Sequence, residues 1–169
     1  MAQQLIDRIC RLFSFLMVAC LALMVVMVFG NVVLRYGFNS GITASEELSR
    51  WLFVWMTFLG AVVAVAKRAH LGTDALVSRL PRAGKKFCFA AAHVLMLAMC
   101  WLMFQGSWKQ AVINYGTTSP VMELSMAGFY AAGLVFSALA ALILLHELVK
   151  LLTGRLTDEQ LASHPEEAA

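Results

Sequence analysis

The stretch LFSFLMVACLALMVVMVFGNVVL, residues 12–34, runs without a single charged side chain. Crossing the hydrocarbon of a bilayer takes about 20 apolar residues, because a helix rises about 1.5 Å per residue through a layer about 30 Å thick. This run is long enough unaided. Three more follow it: Trp51–Ala66, Phe87–Trp108 and Leu124–Leu145. The second is short, and reaches spanning length only if its helix begins back among Glu46–Arg50. Composition agrees, with 61% hydrophobic and 14% charged residues, where a soluble domain carries about a quarter charged. The expected fold is an all-α integral membrane protein with four transmembrane helices, at about 12–34, 45–66, 87–108 and 125–148. They form a single domain, 1–155, followed by a polar tail, 156–169.

The N-terminus bears comparison with a signal peptide. Arg8 and Arg11 precede the first run, and Val18-Ala19-Cys20 faintly resembles a lipoprotein cleavage site. The apolar run continues far beyond Cys20, past the roughly 7–15 residues of a signal core. A retained membrane anchor is the better reading. Cys10, Cys20, Cys88 and Cys100 show no metal-ligand spacing and are expected to pack as small apolar residues.

Lysine and arginine favour the cytoplasmic flanks of membrane helices. With the N-terminus inside, ten basic residues fall on the inner side and only Arg35, Arg50 and Lys109 on the outer. Both termini are therefore expected in the cytoplasm. Six of the ten lie between the second and third runs. There GTDALVSRLP, residues 72–81, reads as a short interfacial amphipathic helix: Thr73 or Asp74 caps it, Leu76, Val77 and Leu80 make its apolar side, and Pro81 ends it. Its basic neighbours suit anionic lipid headgroups. No folded domain accompanies this loop, so nucleic acid is not an expected partner.

At the outer side SEELSRWLFVW, residues 45–55, sets charges against tryptophan and phenylalanine. Thr43-Ala-Ser-Glu46 matches a capping box, with Thr43 bonding forward and Glu46 reaching back. Glu46 and Arg50 stand at i and i+4, where they can pair. Arg35 closes the first run on the same side, so a bridge to Glu46 or Glu47 would tie the first two helices together. Trp51 and Trp55 read as an interfacial anchor. Gly60 with Ala64, and Gly133 with Ser137 and Ala141, form small-residue stripes that let helices approach closely.

The middle of every run lacks Asp, Glu, Lys and Arg, and internal polar residues such as Asn31, Thr57, His93, Gln105 and Ser137 are mild. Ion-coupled carriers place charged or strongly polar groups there, and paired helix breaks around the substrate. Neither is visible. The chain reads as supporting transport without performing it. Two alternatives stand beside this: a haem-bearing membrane anchor of a redox complex using His93 and His146, and a stand-alone multidrug-type carrier. The first needs two histidines at matching depth, and these are offset by roughly 6 Å. The second needs a protonatable residue within a helix.

The order of several segments resembles the small membrane subunit (the Q or DctQ-like subunit) of tripartite ATP-independent periplasmic (TRAP) transporters. The matching stretches are Asn31–Asn39 (NVVLRYGFN), Ser45–Arg50 (SEELSR), Phe53–Ala61 (FVWMTFLGA), Arg68–Asp74 (RAHLGTD), Leu80-Pro81 and Thr118-Ser119-Pro120. The resemblance implies a non-catalytic subunit of the bacterial inner membrane, without a cofactor of its own. Its implied partners are a large membrane subunit holding the substrate and sodium sites, a periplasmic solute-binding protein, and membrane lipids. The implied activity of the complex is sodium-coupled uptake of an organic acid, such as a C4-dicarboxylate or a sialic acid. On this reading Arg35, Glu46, Glu47 and Arg50 form a network at the outer ends of the first two helices. Trp51, Trp55, Gly60, Ser119 and Pro120 serve structure or partner contact, and His70 and Asp74 hold the inner turn.

Overall fold

The structure, a computed structural model, describes residues 2–67 and 82–153. Four long helices account for most of them: α1 Ala2–Gly37, α2 Thr43–Ala66, α3 Arg82–Ile113 and α4 Ala127–Leu152. All four are long and apolar enough to cross a membrane. The helices outrun the apolar stretches that announce them. α1 has 36 residues, about 54 Å at about 1.5 Å per residue. A charged side chain ends the lipid-matching segment but not the backbone hydrogen bonding, which continues through Arg8, Arg11 and Arg35. α2 begins at Thr43 and so gains the length that its uncharged core lacked. The expected interfacial helix, with His70 and Asp74, lies outside the described residues.

The helices do not close into a bundle. Among the described residues α1 packs on α2, α2 on α4 and α4 on α3, and α1 approaches neither α3 nor α4. The result is an open layer in the order α1–α2–α4–α3. Each seam has its own device. Met17 of α1 lies where a side chain at Gly60 would stand, its sulfur 3.1 Å from an ideal Cβ there. Phe58 of α2 meets Phe136 of α4 with ring centroids 5.7 Å apart. α4 and α3 come closest: a Cβ at Gly133 would sit 2.5 Å from Ser107 Oγ. Cys100, Ala140 and Leu144 are buried in this seam, with Val65, Met96, Leu97, Phe136 and Ala141 around them.

The core is small because the solvent for most of the surface is lipid. None of the apolar window of α1 is buried inside the chain. In a bilayer that exposure carries no hydrophobic penalty, and packing and small residues govern association instead. Three polar side chains within the spans, Thr57, Ser137 and His93, turn to their own helix. Thr57 Oγ1 donates to the Phe53 carbonyl at 2.8 Å, and Ser137 Oγ to that of Gly133 at 2.8 Å. His93, buried, has Nδ1 2.9 Å from the Phe89 carbonyl and its ring stacked on Phe89. A polar group in hydrocarbon must be satisfied internally, and the i−4 carbonyl is the nearest acceptor.

Candidate functional site

The end of the layer where α1 stops and α2 starts carries most of the singled-out residues. Two short connections meet there. The first, residues 38–42, is organised by Asn31: its side-chain oxygen, buried in the last turns of α1, accepts the Ile42 N–H at 2.7 Å. Asn39 takes a left-handed φ of 50°, a conformation asparagine tolerates better than most residues, and Ser40 N–H turns back to the Leu34 carbonyl. This brings the chain directly into α2.

The second connection, between α3 and α4, folds back on itself. Ser119 N–H donates to the Leu124 carbonyl at 2.8 Å, and Met126 N–H to that of Thr117 at 2.9 Å. Thr118 and Ser125 form a single antiparallel bridge. Pro120 to Glu123 make the tip, with Glu123 at a φ of 54°. Ser125 Oγ donates to the Tyr115 carbonyl at 2.8 Å. Two successive N–H groups at the tip, Val121 and Met122, converge on one oxygen of Glu47, at 3.0 and 3.3 Å. Successive backbone amides of this kind form a cradle for an anion, and here the anion is a side chain of α2.

Glu47 therefore joins the start of α2 to the α3–α4 connection, one helical turn from a second contact. The Trp51 ring lies against Gly128, where an added Cβ would come within 3.0 Å of it, and meets Phe129 edge-on at 5.9 Å. Trp51, the expected interfacial anchor, also packs α2 onto the first turn of α4. Trp55, one turn further along α2, is half-buried. Gly60 serves the α1 seam described above.

Three expectations are corrected. The capping box does not form: Ile42 is the N-cap residue, no side chain caps the helix, and Thr43 is already its first residue. Ser45 N–H bonds the Ile42 carbonyl instead. Glu46 faces α1, its oxygen 3.9 Å from Arg35, so among the described residues it makes no bridge to Arg50. The four charges are not one network. Arg35 pairs with Glu46, Glu47 goes to the loop, and Arg50 stands exposed with no ion pair among the described residues.

Between these groups lies a cleft of about 420 Å³, lined by Thr43, Glu46, Glu47, Arg50, Trp51, Ser119, Pro120, Val121, Met126 and Phe129. Glu47 Oε1 and Ser119 Oγ are enclosed without a hydrogen-bond partner. Ser119 is 3% exposed. Among the described residues no group of three His, Cys, Asp or Glu side chains is placed to hold a metal ion. The arrangement offers contact and docking chemistry.

Four spanning helices in an open layer, tied at one end by a carboxylate, define a multi-pass membrane protein. Residues 24–154 match the family described as tripartite ATP-independent periplasmic transporters, DctQ component, and the chain belongs to that family. It is 39% identical over 149 residues to a protein of Haemophilus influenzae named as a TRAP transporter small permease protein, covering 88% of this chain and 92% of the relative. It is 33% identical over 96 residues to the C4-dicarboxylate TRAP transporter small permease protein DctQ of Vibrio cholerae, covering 57% and 41% of the two chains. A third relative, the sialic acid TRAP transporter permease protein SiaT of Haemophilus influenzae, is 33% identical over 72 residues, 43% of this chain and 12% of its own length. The chain is thus a small permease component of a transporter, and not an enzyme.

Proposed function

We propose that this subunit braces a large membrane subunit of a TRAP transporter in the bacterial inner membrane, for sodium-coupled, binding-protein-dependent uptake of an organic acid. The observation that carries the reading is the open layer. Its α1 edge buries none of its apolar window within the chain, while Thr57 and Ser137 hydrogen-bond to their own helices. A layer of this kind has a broad apolar surface for a larger membrane body, and the middle of each spanning run carries no Asp, Glu, Lys or Arg.

Two relatives support the reading. SiaT carries its similar segment within a chain of which that segment is 12%, consistent with a small unit held beside a much larger permease body. The names of SiaT and of the Vibrio relative point to a sialic acid and a C4-dicarboxylate, both organic acids. The basic-residue bias supports cytoplasmic termini; on that orientation Glu47 and the α3–α4 connection face the periplasm and the solute-binding protein. The sodium and substrate sites belong to the large subunit.

Reconstituted uptake tests this. Proteoliposomes holding this chain alone are expected to take up no organic acid. Vesicles holding it with its large subunit and binding protein should show uptake that depends on sodium. Undiminished uptake after omission of this chain, or uptake by this chain alone, would refute the reading.

A further inference from the structure

The cleft beside Glu47 has features that neither helix packing nor the loop latch uses. α2 has 24 residues, about 36 Å at about 1.5 Å per residue, against about 30 Å of hydrocarbon. Its first turns therefore stand at the depth of the lipid headgroups. There the cleft combines two carboxylates, Glu46 and Glu47, and one guanidinium, Arg50, with apolar walls from Trp51, Val121, Met126 and Phe129. Two oxygens at this site, Glu47 Oε1 and Ser119 Oγ, lack a partner, and Ser119 is almost wholly buried.

We infer that this cleft binds the phosphoethanolamine headgroup of a phospholipid. The ammonium supplies three N–H donors, one for Glu47 Oε1 and the others toward Glu46. The phosphate takes Arg50 and the Ser119 hydroxyl, and the apolar walls receive the glycerol and the start of the acyl chains. A rotation of the Glu47 carboxylate about its last, soft torsion, small enough to keep Oε2 on the Val121 and Met122 amides, turns Oε1 toward the ligand. Arg35, 3.9 Å from Glu46, balances one of the two carboxylates, so selectivity rests on hydrogen bonding: a glycerol headgroup brings no cation to Glu47, and a trimethylated ammonium cannot donate the missing hydrogen bond. This inference requires only that the chain spans a membrane, and stands apart from the bracing role.

The test is native mass spectrometry of the full chain in an uncharged detergent, titrated with short-chain phosphatidylethanolamine, phosphatidylcholine and phosphatidylglycerol. Phosphatidylethanolamine is expected to be retained at about tenfold lower concentration than the other two. Arg50→Gln and Glu46→Gln alter exposed side chains, so the fold should persist, yet each should weaken that retention about tenfold. Soluble phosphoethanolamine should fail to compete at concentrations that saturate the lipid. Equal retention of the three lipids, variants that hold phosphatidylethanolamine like the parent, or full competition by the soluble headgroup would each overturn the inference.

Discussion

Glu47 and Val121, 74 positions apart in the chain, are joined by a 3.0 Å hydrogen bond from the Val121 N–H to the Glu47 carboxylate, and the next amide, Met122, shares the same oxygen. This contact fixes the α3–α4 connection against the start of α2. Hydrogen bonds to a charged group contribute about 1.5–3 kcal/mol. Glu47→Ala should lower stability by about that amount at most, since the Val121 side of the contact is exposed. Its sharper sign is local: hydrogen exchange at Val121 and Met122 should accelerate while the amides of α3 stay protected. Unchanged exchange at both amides would count against the latch.

Asn31 does for the first connection what Glu47 does for the second. Its oxygen is buried and holds the Ile42 N–H at 2.7 Å. Asn31→Ala leaves that amide without its acceptor and should cost about 1–3 kcal/mol, read as a lower thermal midpoint in detergent. A midpoint equal to that of the parent would remove Asn31 from the account of the turn.

The α3–α4 seam admits a rescue experiment. An added Cβ at Gly133 would stand 2.5 Å from Ser107 Oγ but 3.4 Å from Ser107 Cβ. Gly133→Ala alone should therefore destabilise by about 1 kcal/mol or less, because the Ser107 hydroxyl can rotate away and alanine is the better helix former. Combined with Ser107→Ala, which removes the clashing oxygen, most of that loss should return. Additive losses in the double variant would show that the seam is not set by this contact.

Two left-handed residues should respond differently to glycine. Glu123, at a φ of 54°, has a side chain poorly suited to that region, and Glu123→Gly should gain about 0.5–1 kcal/mol. Asn39, at 50°, tolerates it, so Asn39→Gly should change little. A loss of stability in Glu123→Gly would mean that its side chain contributes a contact worth more than the relief of strain.

The Arg35–Glu46 pair should matter least. At 3.9 Å, with the two side chains 70% and 64% exposed, it belongs with surface pairs that contribute roughly 0–1 kcal/mol. Arg35→Gln should shift the midpoint only marginally. A large loss would show that the pair is shielded by lipid or a partner in the membrane.

Four spans were legible because hydrocarbon thickness imposes a length that charge-free runs reveal directly. Their arrangement was not. Lipid accepts an apolar face as readily as a neighbouring helix does, so the pattern of Leu, Val and Phe in α1 carries no mark of which face is covered. Gly133 could be read from its stripe, since only a small residue permits that approach. Glu47 could be noticed as a charge unexplained by its own helix, but its partners are backbone amides far along the chain and leave no trace in side-chain identity. The capping box failed because Thr43-Ala-Ser-Glu46 has the right letters one position too late: the helix has already begun when Thr43 is reached. Asn31 left a fainter signal, a lone amide at the end of an apolar run just before Gly37, Asn39 and Gly41.

The bracing role is tested most directly by extracting the tagged chain from its native membrane in mild detergent and weighing what accompanies it by mass spectrometry. The account expects a large polytopic membrane protein in fixed stoichiometry with this subunit. Recovery of the chain alone and well folded, or in company with redox subunits, would contradict it.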